Sequence, residues 1–147
     1  MAKTIKVGLL LFAVLLLGAQ AIRPERTNPP VERDIPMAPE VKALLRRACY
    51  DCHSNETVWP WYAGVAPVSW LVADDVREGR KDLNFSTWDN YGAAKKRKKL
   101  KETADEVTEG KMPPWYYALM HPEARLTSAE REALRAWTAE EIARLGG

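Results

Sequence analysis

Hydrophobic positions along the chain change period more than once. From Val7 to Ala19 they are nearly unbroken: six leucines, a phenylalanine and two valines follow Lys3 and Lys6, and Ala19-Gln20-Ala21 closes the run. A charged start, a short apolar stretch and a small-x-small ending have the form of an export signal. The run is 13 residues long, or 16 if counted through Ile22. A bilayer-spanning helix takes roughly 20 residues, so residues 1–21 read either as a cleaved signal peptide or as an uncleaved membrane anchor. Either way Lys3 and Lys6 stay inside, and the remainder is carried out to the periplasm or held on the outer face of the cytoplasmic membrane.

Residues 22–40 carry Pro24, Pro29, Pro30, Pro36 and Pro39 among mixed charges. Proline at that density favours extended backbone, so the stretch reads as a linker, either a spacer or an arm laid over the domain. The remaining residues, 41–147, read as one all-α domain. Behind Pro39, Val41, Leu44, Leu45 and Ala48 recur at i, i+3, i+4 and i+7 and run straight into Cys49. A second helix begins near Pro67, carries Val68, Leu71, Val72 and Val76, and is expected to stop at Gly79. A third covers Ala93 to Glu109, with Leu100, Ala104 and Val107 on one face and Gly110 as its stop. Thr127-Ser128-Ala129-Glu130 has the form of a capping box, opening a last helix that buries Leu134, Trp137 and Ile142. Irregular connections are expected at 53–66, 80–92 and 110–126. Connections that long in a small domain need something to pack on.

Composition narrows the function. The chain has 147 residues and a net charge of +2, and Lys3 and Lys6 account for that excess, so a general nucleic-acid surface is not supported. Two cysteines and two histidines are too few for a four-cysteine zinc site or a disulfide scaffold.

Their placement is informative. Cys49-Tyr50-Asp51-Cys52-His53 is C-x-x-C-H, the attachment signature of c-type haem. Two cysteines three apart on a helical turn point the same way, toward the two vinyl groups of one porphyrin, and His53 is then held beneath the ring with a nitrogen at the iron. A thioredoxin-type disulfide also uses C-x-x-C but needs a βαβ pattern, which is absent; a zinc site would need further ligands, and only His121 remains.

Met112, in Lys111-Met112-Pro113-Pro114, is the leading candidate for the sixth iron ligand. A thioether favours ferrous iron, and the prolines keep the loop out of helix. His121, Met120 and Met37 stay open as alternatives. The six tryptophans and five tyrosines include Trp59, Trp61 and Tyr62 behind the first motif and Trp115, Tyr116 and Tyr117 behind the second, apolar surface suited to a porphyrin face or to an ordinary core. Lys95-Lys96-Arg97-Lys98-Lys99 reads either as a solvated helix surface or as a docking patch for an acidic redox partner.

The segment ACYDCHSNETVWPWYAGVAPVSWLVADDVREGRKDLNFSTW from Ala48 to Trp88, with GKMPPWYYALMHPEARLTSAEREAL from Gly110 to Leu134, resembles the bacterial haem-binding domain family of c-type cytochromes. The resemblance extends from about Asn28 to Trp137. It implies one covalently bound haem c in a small cytochrome c-like helical domain that is exported or membrane-tethered. Cys49, Cys52 and His53 fall on its attachment motif and Met112 on its M-P-P position. The combined expectation is a monohaem cytochrome transferring single electrons, and not an enzyme. A haem-based sensor or a peroxidase-like protein stays open, the latter with His121 as its base.

Overall fold

The computed structural model describes residues 2–146, and among them the regular elements are all helical. Seven helices follow in chain order: α1 (Ala2–Ala19), α2 (Pro39–Ala48), α3 (Tyr50–His53), α4 (Val68–Asp82), α5 (Ala93–Thr108), α6 (Trp115–Met120) and α7 (Ser128–Arg144). Ladder pairing among the described residues is limited to one parallel bridge, Arg33 to Thr87. The all-α class read from the periodicity is the class observed.

α1 stands apart and buries none of its residues, as a helix with no polar face must when no other apolar surface covers it. The domain is built on α5 lying along α7, with α2 packed across them. Leu45, Leu100, Val107, Leu134 and Trp137 meet there in one core, joined by Tyr50, Phe85 and Trp88. Each such side chain contributes about 1.5–3 kcal/mol by leaving water. Tyr50 and Phe85 stack with ring centroids 5.3 Å apart. The capping box forms as the sequence indicates: Thr127 Oγ1 accepts from Glu130 N at 3.2 Å, and the Glu130 carboxylate accepts from Thr127 N at 2.8 Å. Ile142 is only half-buried at the edge of this core.

The Pro-rich stretch is an arm laid over the domain. Asn55 Nδ2 donates to Pro30 O at 2.8 Å, and Glu32 N and Arg33 N both donate to Ser86 O, at 3.0 and 3.1 Å. Tyr50 Oη donates to Asp34 Oδ1 at 2.6 Å, and Lys42 Nζ pairs with Asp34 Oδ2 at 2.7 Å. Ile35 follows into the core, 3% exposed. Backbone that proline keeps out of helix finds its partners on the 84–88 loop and the Asn55 side chain instead.

Two expectations need correction. The connections at 53–66, 80–92 and 110–126 are not wholly irregular: they hold short 3-10 turns at Trp61–Gly64, Trp88–Asn90 and Pro122–Ala124, and α6. Gly79 does not end its helix, because α4 continues to Asp82. Glycine is there because α4 crosses the 49–53 turn at close range. A Cβ on residue 79 would sit 2.5 Å from Cys52 O and 3.0 Å from Cys52 Cβ. Gly110 does act as the stop for α5, with φ of 74°, and the turn behind it lets Lys111 N and Met112 N both donate to Glu106 O.

Gly79→Ala should therefore destabilise the domain by about 2 kcal/mol, since backbone must move to admit one methyl. Chemical unfolding of the full-length protein measures this. Gly64→Ala, where the added carbon meets only an Arg26 side-chain atom at 3.5 Å, should change stability by no more than a few tenths of that amount. Equal stability of the two variants would show that α4 does not lie so close.

Candidate functional site

The C-x-x-C-H run sits where two helices meet. α2 ends at Ala48, Cys49 adopts φ of −132°, and α3 restarts at Tyr50. Tyr50 enters the core, and Cys49 packs at the edge of it. His53 N and Cys52 N donate back to Cys49 O at 2.9 and 3.2 Å, closing the turn.

α4 and the loop after it then fix His53. Its Nδ1 lies 3.0 Å from Gly79 O and 3.1 Å from Leu83 O. Two carbonyl acceptors require a proton on Nδ1, which leaves the Nε2 lone pair free. His53 O accepts from Phe85 N at 2.8 Å, so the residue is clamped by its backbone as well. Burial holds the imidazole pKa below its ordinary value, although both carbonyls act against that, and the ring is neutral at neutral pH.

The two thiols are unlinked. Burial pushes both up to about 12, and at Cys52 the neighbouring Asp75 and Asp51 add to it. Neither is a thiolate at neutral pH, the opposite of what a redox-exchanging C-x-x-C pair needs. Among the described residues no group of three or more His, Cys, Asp or Glu is arranged to hold a metal ion by itself.

Cys49, Cys52, His53 and Met112 line one cavity of about 300 Å³, with Asp75, Gly79 and Tyr117 on its other walls. A smaller cavity of about 60 Å³ adjoins it, again bounded by Cys49, His53 and Met112 and reaching Lys99 of α5. Met112 is half-buried and packs on the main core. The Gly110 turn carries it there from the end of α5, some 60 residues after His53.

The other candidate ligands do not line this cavity. Both ring nitrogens of His121 are engaged, Nε2 with Tyr62 Oη at 2.6 Å and Nδ1 with Glu123 Oε1 at 3.1 Å, and its ring stacks on Tyr117. Met120 is exposed on α6, and Met37 packs against the main core near Trp137. The aromatic clusters divide. Tyr116 and Tyr117 wall the cavity, while Trp61 and Trp115 are about four-fifths exposed, at 80% and 78%. Of the basic run, Lys99 is buried in ion pairs with Asp82 and Glu102, Arg97 donates to Leu145 O, and Lys95 and Lys98 stay exposed.

Sequence reasoning missed four members of the site. The Gly79 and Leu83 carbonyls are backbone and carry no signature. Asp75 faces the cavity one turn before Gly79 and accepts from Tyr116 Oη at 3.3 Å. Asp51 accepts from Tyr117 Oη at 2.7 Å and Val58 N at 2.9 Å, tying α6 to the C-x-x-C-H turn.

A helical domain with a buried neutral imidazole, two neutral thiols and a thioether around one cavity is the type of site that holds a planar metal cofactor. The model of the haem-binding domain family matches residues 14–140, and the chain belongs to that family. No curated protein and no solved structure matches the chain. The residues present fit haem. One imidazole nitrogen is free and the other carries the proton that orients the ring, as iron-ligating histidines require. The cavity wall is largely apolar, and the Cys–His turn cannot shift without displacing α4.

Asp75 gives the site a pH dependence. Burial raises its pKa above the ordinary carboxylate value, though the Tyr116 hydroxyl opposes this. With haem in the cavity, ionised Asp75 would favour ferric iron by on the order of 1 kcal/mol, or about 40 mV for one electron. The reduction potential of the haem-loaded protein should fall by about that amount as pH rises through the Asp75 titration, above the usual carboxylate range. Asp75→Asn should raise the neutral-pH potential and flatten the slope, both readable by redox titration.

Proposed function

We propose that this haem protein is a monohaem c-type cytochrome that carries single electrons outside the cytoplasmic membrane. The observation that carries the reading is the His53 ring, its Nδ1 held by two backbone carbonyls beside two cysteines at vinyl spacing. Haem bound there supplies a one-electron Fe(III)/Fe(II) couple.

The chain's part is to bind, orient and exclude. Cys49 and Cys52 would hold the haem covalently through its two vinyl groups. His53 Nε2 would be one iron ligand, and the Gly79 and Leu83 carbonyls fix its tautomer and angle. Met112 Sδ would be the second and would favour the ferrous state. Tyr116 and Tyr117 keep water from the cavity. The engagement of His121 by Tyr62 and Glu123 supports electron transfer over peroxidase-like chemistry, because an acid–base imidazole needs a free nitrogen at the open iron face. Acidic redox partners dock near Lys95–Lys99, a run that reaches the cavity wall at Lys99 and is exposed at Lys95 and Lys98.

Expression with haem-maturation machinery, followed by intact mass after denaturation, tests the attachment. One added haem is expected, and it should be lost in the Cys49→Ala, Cys52→Ala double variant. An unmodified mass for the natural sequence would refute covalent attachment. Ferrous protein should resist carbon monoxide, and Met112→Ala should keep its haem but bind the gas. Ready binding by the natural sequence would favour a ligand sensor instead.

A further inference from the structure

α4 does not use its apolar residues as a core helix does. Val76 is buried, but Val68 and Leu71 are 44% and 49% exposed. Trp61 and Val65 lie just before them, 80% and 46% exposed, and Trp70 stands beside them. None of these five lines the cavity around His53. Large apolar side chains left exposed together within residues 61–71, at the start of α4, mark a surface that meets something other than water, although Trp70 and Leu71 also border a cavity with Glu25, Asp74 and Arg77.

The segment that follows α1 reaches that surface. Gln20, directly after α1, is clamped onto it: Gln20 Oε1 accepts from Ala66 N at 3.0 Å, and Gln20 Nε2 donates to Ala66 O at 3.1 Å. Two residues on, Ile22 O accepts from Trp70 Nε1 at 2.9 Å. The end of α1 is therefore hydrogen-bonded to the middle of the patch. α1 itself has 18 residues, is apolar beyond its lysines and is unburied throughout. At 1.5 Å per residue the whole helix measures about 27 Å and its apolar part, Val7–Ala19, about 20 Å; such a helix crosses by letting Lys3 and Lys6 reach back to the interface and by locally thinning the hydrocarbon core. Arg23, also exposed, follows directly and could meet lipid phosphates if α1 spans.

We propose that Trp61, Val65, Val68, Trp70 and Leu71 form a membrane seat, resting in the interfacial layer of the bilayer that α1 spans. The inference rests on α1 being a retained anchor. Lipid is the occupant because the patch cannot leave the bilayer surface while Gln20 and Ile22 tie it to the emerging helix. Tryptophan suits that layer, with an apolar ring and an N–H that needs a polar partner. The seat orients the haem site as well. Val68 and Leu71 share one stripe of α4 with Asp75, Gly79 and Asp82, which line the cavity. Leu71 and Gly79 are about 12 Å apart along the helix, so the site is held at a fixed distance from the lipid instead of on a loose tether.

The test uses the full-length haem-loaded protein in phosphatidylcholine nanodiscs containing a lipid with a diazirine in its upper acyl chain. After photolysis, peptide mass spectrometry should find lipid adducts both in α1 and between Trp61 and Leu71. The Val65→Glu, Val68→Glu variant should keep its haem spectrum and its α1 adducts, while adducts in the patch fall by about fivefold or more. Adducts confined to α1 would overturn the seat and leave the anchor standing, whether haem, a second copy or another protein covers the patch. An intact mass beginning after Ala21 would overturn the anchor and the seat together.

Discussion

The close crossing of α4 over the Cys49–His53 turn is the constraint on which the rest of the structure depends. It requires a glycine at position 79, because a Cβ there would enter the Cys52 carbonyl. In return it brings two main-chain carbonyls to His53 Nδ1 and, one turn earlier, Asp75 to the cavity. The imidazole is thereby fixed in tautomer and orientation, while its burial keeps it neutral. A protein that tunes a metal centre through its ligand's second nitrogen needs that preorganisation. The loop behind α4 completes the clamp: Phe85 N donates to His53 O, and Ser86 receives both the arm and Asn55 N.

Much of this was legible in the residues. Covalent-attachment spacing is a local pattern, and helix starts with caps are local too, so C-x-x-C-H and the Thr127 box could be read directly. Met112 could be nominated because its prolines and its chemistry are visible in one short stretch. Long-range facts were not legible. Gly79 looked like a helix stop because sequence shows a missing side chain but not the neighbouring backbone that forbids one. The Gly79 and Leu83 carbonyls have no side-chain identity at all. Asp75 sits in a polar stretch of α4 whose facing depends on the tertiary crossing. The Pro-rich stretch announced extended backbone, but not that Asp34 and Ile35 would be drawn onto Lys42, Tyr50 and the core.

The arm and the apolar helix form one continuous device with the domain. The family match begins inside α1, at residue 14, and runs through the arm to residue 140 in α7. Gln20, Ile22, Pro30, Arg33 and Asp34 each make a hydrogen bond or ion pair to the domain body, so orientation propagates from the N-terminal helix to the 84–88 loop that holds His53. If α1 is retained as an anchor, as the membrane seat proposed above requires, membrane attachment and the setting of His53 draw on the same set of contacts.

In the function proposed here, His53 and Met112 would be the two protein ligands of one haem iron. Near-infrared magnetic circular dichroism of the ferric haem-loaded protein measures that pair most directly. The account predicts the far-red charge-transfer band of a thioether bound to ferric iron, absent in Met112→Ala and unchanged in His121→Ala. A bis-imidazole spectrum that His121→Ala abolishes and Met112→Ala leaves intact would contradict it.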